Sequence, residues 1–320
     1  MTSTISRRGF LGTSAVLVGA SALGCSAERA IRSRPVRTAI SRSIERLVPG
    51  RPGVDGAGVS LLKHLGHAGL RNLDPFVMLD EIHSDDPSRY EAGFPSHPHR
   101  GFETVSILLE GAFRHRDSRG NSGLITGGGA QWMTAGSGIV HSEMPEPPAG
   151  STEVWGFQLW VLLPAAERMR APEYQDIAPA RIAEVELDRG GRARVIAGEA
   201  LGVRGPVSAR ATQPLLVTLH LQPGDDVELS VGREHTAFAV VGEGAAAIGD
   251  RGDRLEAGGL AVLSGGGDRV RLRADDREAH VLVVAGQPLH EPFVQRGPFV
   301  MGTEREIEEA FADYRAGRLG

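Results

Sequence analysis

A single cysteine, Cys25, stands in the 320 residues, so no disulfide can form within the chain, and the lack of thiolates argues against a structural zinc site. Positive charge is not in surplus: the formal net charge is −5, and nothing in the composition marks a nucleic-acid footprint. The apolar stretch from Leu11 to Gly24 is too short to span a bilayer, which takes roughly 20 residues. Hydrophobic residues make up 41% and charged residues 23%, the balance of a soluble globular protein. Glycine is abundant, at 43 residues, and clusters between short apolar runs. That texture favours many short strands and turns over long helices.

The N-terminus reads apart from the rest. Arg7 and Arg8, in the context Ser6-Arg7-Arg8-Gly9-Phe10-Leu11, precede the apolar stretch, and the segment resembles a twin-arginine export signal. Cys25 follows Ala22-Leu23-Gly24, which resembles a lipoprotein cleavage site with the leucine one place out. Lipidation of Cys25 and cleavage elsewhere nearby both stay open. Residues 1–30 are therefore expected to be an export leader. The mature protein is expected to be periplasmic or lipid-anchored outside the cytoplasmic membrane, touching the membrane only through the signal or that lipid. Residues 31–57, rich in Arg, Pro and Gly, read as a linker or arm.

From Gly58 onward, runs such as "DPFVMLDEI", "TVSILLEGAFRHRD" and "VWGFQLWVLLP" are bounded by Gly, Pro and Asp and read as strands. A second series, including "LLVTLHLQPGDDVELSV" and "AHVLVVAG", repeats the texture. Two β-domains follow, 58–166 and 167–300, each a sandwich or barrel of short strands. Over 301–320 the pattern turns helical. Thr303 with Glu306 makes a capping box, Ile307, Ala310, Phe311 and Tyr314 share a face, and Gly317 closes the helix. No chemistry is assigned to that helix.

The stretch "FPSHPHRGFET" holds His97 and His99 about one proline, and "GIVHSEMP" holds His141 and Glu143 at the same spacing. Side chains at i and i+2 of a strand project from one face, so each pair points together. Pro98 donates no ladder hydrogen bond, which suits an edge or strand entry. Each pair alone is a weak signal, but two in one β-domain make a candidate metal site. Imidazole and carboxylate ligands suit Fe(II), Mn(II), Ni(II), Cu(II) or Zn(II). Glu103 competes with Glu143 as the acidic ligand, because 97, 99 and 103 share strand parity. His115, His64, His67 and His83 are read as non-ligands, the last three isolated from partners. Gln131-Trp132-Met133 is expected to pack the barrel wall. His220, His235 and His280 in the second half are scattered, with no acidic partner at matched spacing, so that half is expected to be metal-free.

Together "FPSHPHRGFETVSILLEG", "QWMTAGSGIVHSEMP", "FQLWVLLP", "DPFVMLDE", "AGEALG" and "EPFVQRGPFVMGTEREIEEAFADYRAG" resemble the pirin family of the cupin superfamily, from about Gly58 to the C-terminus. The resemblance implies an all-β bicupin, two cupin-type β-barrel or jelly-roll domains with a C-terminal α-helix. It also implies a mononuclear iron in the first barrel, held by His97, His99, His141 and Glu143. Glu103 would then stand beside the metal without binding it, orienting a ligand imidazole. Some pirins are similar to quercetinases, which open the central ring of flavonols with O₂ and release carbon monoxide. The implied function is such a dioxygenase, with a phenolic substrate and O₂ as its partners, a monomer, and no nucleic acid. Glu143 or Glu103 would accept the substrate hydroxyl proton. The alternative is a non-enzymatic, iron-binding or redox-sensing regulator that binds a partner.

Overall fold

The computed structural model describes residues 39–207 and 209–319. The expected export leader over 1–30, with Cys25, lies outside the described residues. Twelve strands carry the first half: β1 Ile44–Pro49, β2 Arg51–Asp55, β3 Val59–Leu65, β4 Phe76–Ser84, β5 Phe94–His99, β6 Phe102–Glu110, β7 Ala112–Asp117, β8 Ser122–Thr126, β9 Ala130–Thr134, β10 Ile139–Pro145, β11 Val154–Leu162 and β12 Glu173–Ile177. Seven form one sheet in the order β12-β9-β6-β11-β4-β3-β2, and four form another, β5-β10-β7-β8. A cavity of about 640 Å³ lies between the two sheets.

The second half repeats the design. Leu215–Leu221, Thr236–Ile248 and Ala279–Gly286 form the centre of its main sheet. Val217, Leu219, Ala239, Val241, Val281 and Val283 fill its own barrel, whereas Leu216, Phe238, Val240, Leu282 and Val284 face the first half. There they meet Val105 and Ile107 of β6 and Phe157 and Leu159 of β11. The central strands are therefore buried on both faces, which is why they read as continuous apolar runs instead of alternating ones.

The expected arm over 31–57 is corrected in part. Residues 44–49 are β1, which pairs with Gly259–Leu263 of the second half, while β2 pairs with β3 of the first. The edge of the second sheet is thereby covered, with Val48 entering the shared core. Pro49 and Pro52 are tolerated because these are edge strands.

The all-β expectation of two barrels with a C-terminal helix is met. Among the described residues one α-helix, α1, spans Glu304–Arg315. Thr303 accepts a hydrogen bond from the Glu306 backbone N–H at 3.2 Å, as the capping box predicts. Ile307 and Ala310 are buried against Phe299 and Met301. Asp313 holds Arg100 at 2.9 Å, so the helix clamps the turn that follows His99.

Candidate metal centre

Strand β5 pairs antiparallel with β10, and His97 stands directly opposite His141. His99 shares the face of His97, as its spacing dictates. The ligating nitrogens of His97, His99 and His141 all lie within 4.8 Å of one another. His97 Nε2 and His99 Nε2 are 3.1 Å apart.

The other ring nitrogens decide which proton sits where. His97 Nδ1 donates to the Pro95 carbonyl at 2.8 Å, and His99 Nδ1 to the Pro298 carbonyl at 3.2 Å. Both Nε2 atoms are then left with lone pairs turned toward each other. His141 Nε2 is buried without a partner, while its Nδ1 lies 3.4 Å from His115 Nδ1. Two facing lone pairs beside a buried, unpartnered imidazole nitrogen are unfavourable unless a cation joins them, so these residues fit a metal ion. Burial, reinforced by the neighbouring His97, holds His99 down to about 3. Burial and the surrounding imidazoles hold His141 well below the ordinary range as well. Both rings are therefore neutral at pH 7, the form that ligates.

Glu143 is buried in β10. It accepts from Ser106 Oγ at 3.1 Å on Oε1 and from Gln158 Nε2 at 2.8 Å on Oε2. Its carboxylate groups with His141 and His115, not with the three-histidine set as a whole. The register of β10 against β5 shifts between His141 and Glu143, which turns the carboxylate toward β6 and β11.

Glu103 requires a correction. It does not stand beside the histidines. Thr134 Oγ1 donates to its carboxylate at 2.6 Å, and Arg210 Nη1 lies 3.6 Å away. It lines a separate cavity of about 210 Å³ with Arg170, Arg210 and Thr212. The parity argument fails at Gly101, whose φ of +92° breaks the strand between His99 and Phe102. A Cβ there would collide with the Val300 carbonyl. Beyond the turn the count restarts. Ser106 and Leu108 face the large cavity, and Glu103 shares the opposite face with Val105 and Ile107.

Other histidines are less isolated than the sequence suggested. His115 is fully buried, pairs in register with Glu143, and has Nε2 3.9 Å from Asp117 Oδ2. Its contact with His141 escaped the sequence reading; the shared parity of Phe113, His115 and Asp117 was the available signal. His64 bonds Glu81 at 2.8 Å, and His83 stacks on Trp155 with ring centroids 4.2 Å apart. In the second half His220 stacks on His280 at 4.1 Å and meets Glu278 at 3.1 Å, so it does have an acidic partner. Trp132 packs in the shared core, as expected.

The pirin family model matches residues 58–161, and the model of the pirin C-terminal cupin domain matches residues 216–320. The chain belongs to the pirin family. A pirin-like protein of Caulobacter vibrioides is 44% identical over 280 residues, covering 87% of this chain and 99% of that one. Human pirin is 40% identical over 286 residues, covering 88% and 94%. The crystal structure of a quercetin 2,3-dioxygenase from Acinetobacter baumannii superposes with a TM-score of 0.79 at 34% identity, covering 88% of this chain and 99% of that one. The two barrels are thus the two cupin domains of a pirin. Kinship with a cupin dioxygenase, together with the histidine cluster, implies a bound metal.

Proposed function

We propose that this pirin is a metal-dependent dioxygenase of the quercetin 2,3-dioxygenase type, opening the central ring of a flavonol or related phenolic. The observation that carries the reading is the convergence of three imidazoles, of which His97 and His99 line a cavity of about 640 Å³. A cavity of that size accommodates a tricyclic phenolic. His97, His99, His141 and Glu143 are the proposed ligands, and Fe(II) the proposed metal, with Mn, Ni, Cu or Zn compatible with the same donors. Bound there, such a metal would supply the redox chemistry that lets a phenolic substrate react with O₂.

The remaining work falls to this chain's side chains. Ser106 and Gln158 hold the Glu143 carboxylate by one hydrogen bond to each oxygen, leaving a lone pair on each. Glu143 accepts the proton of the substrate's central hydroxyl through one of these. Phe94, Leu108, Phe113 and Trp160 line the cavity and pack on the rings, excluding water. Flavonol plus O₂ then balances as a ring-opened ester plus carbon monoxide. The test is to load purified protein separately with Fe(II), Mn(II), Ni(II) or Cu(II), add quercetin, and follow visible absorbance and O₂ uptake. No consumption with any metal overturns the reading for that substrate.

We also infer that the protein is an exported monomer whose Arg7–Arg8 leader carries it folded across the cytoplasmic membrane. Loading iron beforehand would avoid competition from copper and zinc, which bind such donors more tightly. Arg7→Lys with Arg8→Lys should retain the protein inside the cell; normal export of that variant refutes the route.

A further inference from the structure

Lys63 is the chain's one lysine; the other 34 of its 35 Lys and Arg residues are arginine. It lines the large cavity. Its Nζ lies 2.9 Å from Asp80 Oδ2 and 3.4 Å from Asp55 Oδ2. Asp80 is buried, and its second oxygen, Oδ1, has no hydrogen-bond partner. An ion pair inside an apolar cavity costs desolvation that its own attraction barely offsets, so stability alone is a weak reason for it.

Strand register places the pair. Lys63 of β3 stands opposite Asp80 of β4, Asp80 opposite Gln158 of β11, and Gln158 opposite Ser106 of β6. All four line the cavity, forming one polar row across its floor. Their cavity-lining neighbours two residues away, Leu61, Met78, Ile82, Leu108 and Trp160, are apolar. Strands lie about 4.8 Å apart, so Asp80 is roughly 10 Å from Ser106 along the row. The Ser106–Gln158 end carries Glu143, and the other end carries Lys63 and Asp80. The span matches a rigid aromatic ligand with polar groups at both ends.

We propose that Lys63 and Asp80 select the substrate by binding a hydroxyl on the ring farthest from the metal. This rests on the dioxygenase reading and narrows its substrate class to polyhydroxylated, uncharged flavonols. The hydroxyl donates to Asp80 and accepts from Lys63, whose ammonium has three donors and spends two on Asp80 and Asp55. One cation against two carboxylates leaves this end net negative, so it rejects a carboxylate in the same position.

The test is equilibrium binding to the metal-loaded protein without O₂, by calorimetry or quenching of tryptophan fluorescence. The probes are 3-hydroxyflavone, 3,7-dihydroxyflavone and 3,4′-dihydroxyflavone. At least one dihydroxy compound should bind about tenfold or more tightly than 3-hydroxyflavone, the effect of a hydrogen bond to a charged group. In Lys63→Met with Asp80→Leu, which removes both charges and strands neither, that preference should fall within about threefold. Equal affinities for the unaltered protein overturn the proposal without touching the dioxygenase reading, and so does an unchanged preference in the variant. No binding of any of the three sinks both. Should the variant fail to fold, the comparison on the unaltered protein decides alone.

Discussion

His97 and His141 face each other across the β5–β10 pair with ring centroids 4.3 Å apart, although the strands β6 to β9 lie between them in sequence. His99 completes the set, and each ring keeps its Nε2 for the shared centre. His141 is steered there by His115, whose own ring is stacked near Tyr174 and backed by Asp117.

His115→Phe should therefore weaken metal binding about ten- to a hundredfold, the usual effect of removing the partner of a ligand imidazole. His141→Ala should abolish stoichiometric metal. Metal content after dialysis against a graded chelator distinguishes them. A His115→Phe protein that holds its metal as tightly as the parent would show that His115 only fills space.

The two candidate acids make opposite predictions. Glu143→Gln should lower metal occupancy and activity together. Glu103→Gln should leave occupancy unchanged, because its contacts are Thr134 and Arg210 in the separate cavity. Elemental analysis of both variants settles the assignment; loss of metal on changing Glu103 would reverse it.

Gly101→Ala should cost both stability and metal. The new methyl group must displace the Val300 backbone, and φ at +92° is strained for any residue with a Cβ. Nearby, the Pro298 carbonyl orients His99. A destabilisation of at least about 1 kcal/mol in urea unfolding is expected. An unaltered midpoint would mean that the turn relaxes freely.

Burial pushes His280 down to about 4, with the adjacent His220 acting in the same direction. The unfolded chain therefore takes up this proton first, near pH 6.5. The stability contributed by the neutral ring is complete above that value and is lost as the pH falls toward 4. His280→Asn should flatten the decline of Tm between pH 7 and 4.5. Parallel curves for parent and variant would remove His280 from that dependence.

Much of the architecture was legible in the sequence because it is written locally. Runs such as "TVSILLEG" and "LLVTLHL" announce strands, and Thr303 with Glu306 announces the helix start. The pairs at 97/99 and 141/143 announce candidate ligands, since a strand's period of two needs no knowledge of its neighbours. The readings that failed crossed an element boundary. Glu103 was counted through a turn that resets parity. Residues 44–55 looked like an arm because their partners lie in two different sheets. His220 seemed to lack an acid because Glu278 reaches it only across a strand pair.

The residues alone thus determined what chemistry the chain can offer: strand-forming runs, paired imidazoles, carboxylates. Only the tertiary structure decided which of them meet, setting His115 behind His141 and Glu103 against Arg210. The physical reason is that hydrogen-bond register between strands, set by turns and bulges far from either residue, chooses the partner and the face.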